Sequence, residues 1–223
     1  MSDSVRAVAD AVLYEGYVLW PYRRSAMKNQ QRWTFGGVYP PAWNAEHPDD
    51  RREVRAEFAC AGELEVRVRF LHVVRRQVEV AGEPVDEAVV GGERYLTWEE
   101  AVEREVGAGP IAIPAGSHRD ELGDGVAVVR SWQGLDGVVE VRAGSLVVRN
   151  ETPFAGGTRQ EALERTFCSL HAELHADRFD PESRSGEGLW PVLIDDSTLL
   201  ASPIILEDRP KIAPESPGDL FDG

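Results

Sequence analysis

The chain has 223 residues, with 39 Asp plus Glu against 24 Lys plus Arg and a formal net charge of −15. That length gives room for one domain of ordinary to large size or two small ones, and the acidic balance excludes general affinity for nucleic acid, because most of the surface would repel a polyanion. Two cysteines, Cys60 and Cys168, cannot form a disulfide framework, no basic leader precedes an apolar run, and no stretch of about 18 apolar residues offers a membrane span, so a cytoplasmic protein with free thiols is expected.

In chain order, residues 8–20 alternate imperfectly and are rich in Val and aromatic side chains, which predicts a strand ended by Pro21. Residues 16–45, GYVLWPYRRSAMKNQQRWTFGGVYPPAWNA, contain no acid and four cations, Arg23, Arg24, Lys28 and Arg32. This segment is therefore +4 within a chain of −15, which leaves −19 for the rest. It also holds seven aromatic residues: Tyr17, Trp20, Tyr22, Trp33, Phe35, Tyr39 and Trp43. Its bland reading is that the rings fill the core while the arginines offset the acidic field. Its functional reading is a surface that binds an anion or docks a partner, because Arg and aromatic side chains concentrate at interface hot spots. The side chains expected to carry that contact are Arg23, Arg24, Lys28, Arg32, Trp20, Tyr22 and Trp33. Within the segment, WTFGGVY predicts a short strand kinked at Gly36 and Gly37 and ended by Pro40-Pro41.

Residues 63–74 carry the cleanest period of two. Leu64, Val66, Val68, Phe70, His72 and Val74 face one way, and Glu63, Glu65, Arg67 and Arg69 the other, which predicts a long strand with one wet face. A histidine on the apolar face reads as a core residue. The weaker alternation over residues 54–60 and the Ala61-Gly62 link predict a hairpin with it. Thr97 and Glu100 resemble a capping box, and Trp98, Ala101, Val102 and Val106 fit a helical stripe, so residues 97–106 are expected to be a short helix. Residues 111–113 and 126–132 read as strands, and 137–150 as a hairpin turning at Ala143-Gly144.

Residues 158–177 open with a second capping box, Thr158 with Glu161, and place Leu163, Phe167, Leu170 and Leu174 at helical spacing. The pattern predicts one long amphipathic helix. On it, His171, His175 and Cys168 form a stripe at roughly 80°, 120° and 140° from Leu163, beside the apolar face. Two of the three could share a metal ion, but residues seven apart lie about 10.5 Å apart along a helix, so a divalent site would need a distant ligand such as Cys60, His72 or His118. Otherwise no cofactor is expected. Two short apolar runs follow at 189–194 and 203–206, and residues 207–223 form an acidic, proline-rich tail expected to be extended or disordered. No nucleophile elbow, phosphate loop, dinucleotide fingerprint or paired-cysteine motif occurs.

These readings add up to a mainly β protein, a sandwich or distorted barrel over residues 1–206 with the helix 158–177 packed on it, and α+β as the fallback. Nothing in the sequence argues for a reaction. A non-catalytic docking protein is the expectation, and a metal-dependent hydrolase or redox enzyme using Cys168, His171 and His175 is the alternative.

LYEGYVLWPYRRSAMKNQQRWTFGGVYP, with TFCSLHAELHAD and the closing LLASPIILEDRPKIAPESPGDLFDG, resembles a family of bacterial proteins encoded beside nickel-iron hydrogenases. The resemblance covers nearly the whole chain. It implies a cytoplasmic accessory, maturation or assembly role, with a hydrogenase subunit or maturation factor as partner, and it carries no established reaction. Members continue past the LFDG motif, which makes this chain either a piece of a longer protein or a naturally short member. The resemblance leaves the oligomeric state open.

Overall fold

A computed structural model describes residues 36–142 and 144–208. In chain order the described elements are α1 (Pro41–Glu46), β1 (Glu53–Ala61), β2 (Glu65–Val80), β3 (Glu83–Val85), β4 (Glu87–Val90), β5 (Glu93–Leu96), β6 (Trp98–Val106), β7 (Gly109–Ile113), β8 (Gly116–Gly123) and β9 (Val126–Trp132), followed by β10 (Leu135–Arg142), β11 (Ser145–Asn150), α2 (Arg159–Leu163), β12 (Cys168–His175), β13 (Arg178–Glu187), β14 (Trp190–Asp195) and β15 (Thr198–Ser202). The protein is mainly β, as its composition and periodicity predict. The expected strand at 8–20, the segment 16–35 and the tail from residue 209 onward lie outside the described residues.

The strands form a five-stranded sheet in the order β13-β1-β11-β10-β7 and an eight-stranded sheet along β14-β15-β12-β2-β9-β8, with β3 and β6 also paired to β2. All these strand pairings are antiparallel, and neither sheet closes into a barrel. The inward pleats share one apolar core: Val54, Ala56, Phe58, Leu146 and Val148 come from the first sheet, and Val68, Phe70, Leu170, Ala172, Leu174 and Leu199 from the second. Phe70 packs on Phe167 at 4.7 Å between ring centroids, and Phe58 on Phe179 edge to face at 5.8 Å. Burial of such rings is the main stabilising term for an architecture with little helix.

β2 is the spine of the larger sheet. Its residues 68–71 pair with both β12 and β6, which must therefore lie on opposite edges. Arg75 and Arg76 pair with both β6 and β9, so β9 continues along the β12 edge after a gap at residues 72–74. One sixteen-residue strand thus belongs to two half-sheets, one built over the shared core and one extending beyond it. In the second half the β4–β5 hairpin packs Ala88, Val90 and Tyr95 onto Val78, Val126 and Val128. The tight turns use consecutive residues at positive φ, Ala81-Gly82, Gly91-Gly92 and Asp124-Gly125, whose mirror-image geometry matches the twist of paired strands.

Four sequence expectations are corrected. The capping box at Thr158 and Glu161 forms, but α2 stops at Leu163, and residues 168–175 are strand β12 rather than the rest of a long amphipathic helix. Residues 170, 172 and 174 alternate as well as they spiral, and pairing with β2 on one edge and β15 on the other decides for the strand. Residues 98–106 likewise form a strand, β6, instead of a helix, and pairing with β2 sets Glu99 opposite Arg75 and Glu105 opposite Arg69. β1 does not form a hairpin with β2: it pairs with β11 and β13, and the Ala61-Gly62 link turns the corner between sheets. Pro40-Pro41 starts α1 instead of only ending a strand, since proline fits the first helical position. The hairpin at 137–150 and the strands at 111–113 and 126–132 form as predicted. Among the described residues, no helix is long and apolar enough to cross a membrane.

Candidate functional site

Of the residues singled out by sequence, Tyr39, Trp43 and Cys168 share a buried cluster on the outer face of the eight-stranded sheet. The end of the basic aromatic segment is fixed there. Val38 and Phe167 exchange backbone hydrogen bonds of 3.0 and 3.1 Å, and the Gly36 carbonyl accepts from Leu170 N at 3.2 Å. Gly36 sits at φ +60 with a Cβ position only 2.1 Å from Pro203 Cβ, so no other residue fits this exit from the scaffold.

Tyr39 and Trp43 then turn inward, 2% and 5% exposed, onto Leu71, Val73, Leu163 and Cys168. Trp43 Nε1 donates to Asp50 at 2.8 Å, and its ring stacks on His47 at 3.7 Å. Arg159 of α2 donates to both Asp50 (2.8 Å) and the Tyr39 hydroxyl (2.9 Å). For these two aromatic residues the bland reading holds: they are core. Arg23, Arg24, Lys28, Arg32, Trp20, Tyr22 and Trp33 lie outside the described residues.

Cys168, His171 and His175 do not form one stripe. On a strand, His171 and His175 are about 13 Å apart, and a bulge at Ser169, φ +51, separates Cys168 from both. Cys168 is fully buried in the apolar cluster, and burial pushes its thiol up to about 12, the reverse of an activated nucleophile. His171 Nδ1 lies 3.3 Å from the Ser169 carbonyl. His175 reaches Thr198 Oγ1 at 3.4 Å on the wall of an open concavity of 520 Å³ lined by Glu63, Leu64, Glu65 and Ala176. The proposed distant ligands sit elsewhere: Cys60 on β1, His72 on the inner pleat of β2, and His118 on β8 against Asp120. Among the described residues no three His, Cys, Asp or Glu side chains are grouped to hold a metal.

Sequence reasoning missed a buried ion pair. Arg69, assigned to a wet face, is 3% exposed and donates to Glu173 (3.2 Å, 1% exposed) and, through Nε, to Glu103 (2.8 Å). Glu173 Oε2 makes no hydrogen bond. The signal lay in two segments read apart, the arginines of β2 and the His-Ala-Glu of β12, and only the register joins them.

On the opposite pleat His72 is fully buried, as predicted. Its Nδ1 accepts from Arg104 Nε at 3.4 Å, which places the ring proton on Nε2. Burial, and then the Arg104 charge, lower its pKa to about 4, with the Gln133 backbone opposing. Two open concavities, the one beside His175 and a second of 460 Å³ on the five-stranded sheet at Arg55, Glu140, Arg142 and Arg149, are lined by neither His72 nor His171 nor Cys168. The arrangement holds its polar groups in place under packed side chains. Comparison with protein-family models and with characterised proteins returns no match.

Proposed function

We propose that this is a non-catalytic accessory or assembly protein that docks an acidic partner through residues 16–45. The observation that carries this reading is charge segregation: four cations and seven aromatic residues in a stretch without one acid, inside a chain of −15. Described arginines, by contrast, are widely matched to carboxylates of the scaffold, as in Arg76 with Glu100, Arg130 with Asp120, Arg149 with Glu53 and Arg184 with Asp208. The segment has no such internal acid to satisfy Arg23, Arg24, Lys28 and Arg32. Its last aromatic residues, Tyr39 and, on α1, Trp43, are packed on Leu71, Val73, Leu163 and Cys168, which gives the contact element a rigid attachment to the sheet. The resemblance described above supports a nickel-iron hydrogenase component or maturation factor as the partner. Affinity capture from cells followed by mass spectrometry tests the reading. An acidic protein retained by the wild type and lost with Arg23→Glu plus Arg24→Glu is expected; equal capture by both, or unfolding of the variant, would overturn it.

A further inference from the structure

The distal half-sheet carries an apolar surface that faces solvent. Of the six large hydrophobic side chains exposed among the described residues, four lie in this lobe: Val80 (37%), Val89 (65%), Leu96 (41%) and Trp98 (38%). The β4–β5 hairpin is apolar on both faces. Its inner face is packed on Val78, Val126 and Val128, while Val89 and Leu96 are diagonal neighbours on the outer face, with Trp98 two residues further on. A two-stranded hairpin needs no outward apolar pair for its own stability, and an exposed patch rimmed by charge marks a contact surface. The rim is acidic: residues 80–98 hold Glu83, Asp86, Glu87 and Glu93 against one cation, Arg94. Arg94 is already paired with Glu87, and Glu93 takes the Tyr95 hydroxyl. The surface therefore fits a segment that is both basic and aromatic.

We propose that this lobe docks residues 16–35 of a second copy of the chain, the part of the basic aromatic segment that precedes the anchored Gly36, Tyr39 and Trp43 and that carries all four cations and five of the seven aromatic residues. The inference rests on the reading of residues 16–45 as a contact element, and it adds regulation: self-association and partner docking use the same cations and exclude one another. The acidic, apolar hairpin stands in for the partner until the partner is present.

Light scattering and sedimentation of the full chain test this at about 10 mM and about 1 M salt, between which the screening length falls from roughly 30 to 3 Å. A dimer that dissociates with salt is expected. Val89→Lys with Leu96→Lys, and separately Glu93→Lys as a milder surface change, should weaken self-association at least about tenfold, as should Arg23→Glu with Arg24→Glu. An equimolar mixture of the hairpin double variant and the arginine double variant should associate again, since each supplies the surface the other lacks. A wild type that stays monomeric, or a dimer that survives the hairpin variants with circular dichroism unchanged, would overturn the proposal. The hairpin variants leave residues 16–45 intact, so they should still capture the partner. Capture that depends on Arg23 and Arg24 without any self-association would sink the dimer and leave the docking reading standing.

Discussion

Asn150, the last residue of β11, ties three backbone segments together at the end of its ladder with β10. Its amide donates to the Val38 carbonyl at 2.7 Å and to the Arg165 carbonyl at 2.8 Å, and its oxygen accepts from Thr152 N at 2.8 Å, with the residue fully buried. Asn150→Ala removes one partner from each buried group, so a loss of about 2–4 kcal/mol is expected in denaturant unfolding; a shift below about 0.5 kcal/mol would show those groups to be satisfied otherwise. Arg69 poses a sharper case, because Arg69→Met removes the guanidinium paired with the buried Glu173. We expect a loss of about 3–5 kcal/mol for the single variant and substantial recovery in Arg69→Met with Glu173→Leu, measured by a double-mutant cycle. Additive losses would contradict the pairing. His72 sets a pH dependence: with a folded pKa of about 4 against 6.5 unfolded, its contribution is complete above pH 6.5 and is lost as pH falls toward 4. That amounts to about 3 kcal/mol. His72→Gln keeps an acceptor for Arg104 and cannot titrate, so its stability profile should be flatter across that window; an unchanged slope would assign the titration to another group.

At the level of elements, the sequence shows periods well and pairings poorly. The period-two pattern of β2 was legible because neighbouring residues alone write it. β12 was not, since Leu163, Phe167, Leu170 and Leu174 satisfy a helix while Leu170, Ala172 and Leu174 satisfy a strand equally. The choice is made by Ser169, which takes φ +51 and lets the chain change pleat within β12, between the Cys168–Leu71 and His171–Arg69 pairs. Ser169 is 1% exposed and its hydroxyl has no partner. Ser169→Gly should therefore be neutral or raise stability by up to about 1 kcal/mol, whereas Ser169→Val should cost more than about 2 kcal/mol; thermal unfolding that ranks them the other way would remove the bulge from the account. Thr97 misled for a related reason. Its hydroxyl bridges strands, accepting from Val78 N at 2.8 Å and donating to the Val85 carbonyl at 2.6 Å, a role that looks like a helix cap when only its own segment is read. The buried Arg69 and Glu173 pair is 104 residues apart in sequence, which is why the wet face assigned to β2 failed there.

Across the whole molecule, β2 joins a half-sheet that builds the core to a half-sheet that presents an acidic, apolar lobe, and the outer face anchors the end of a basic aromatic segment. Composition alone revealed the charge segregation, because net charge by segment needs no fold. It did not reveal the lobe, since Val89, Leu96 and Trp98 become one surface only after β4 pairs with β5 and β6 with β2. The account centres on docking through Arg23, Arg24, Lys28 and Arg32. The most direct measurement is the affinity of the captured partner for the wild type and for Arg23→Glu with Arg24→Glu, by titration at low and high salt, alongside thermal unfolding of both proteins. The account predicts binding that weakens with salt in the wild type, a loss of at least about tenfold in the variant, and melting curves that superimpose. Equal affinity in the two proteins, or a variant that no longer folds, would contradict it.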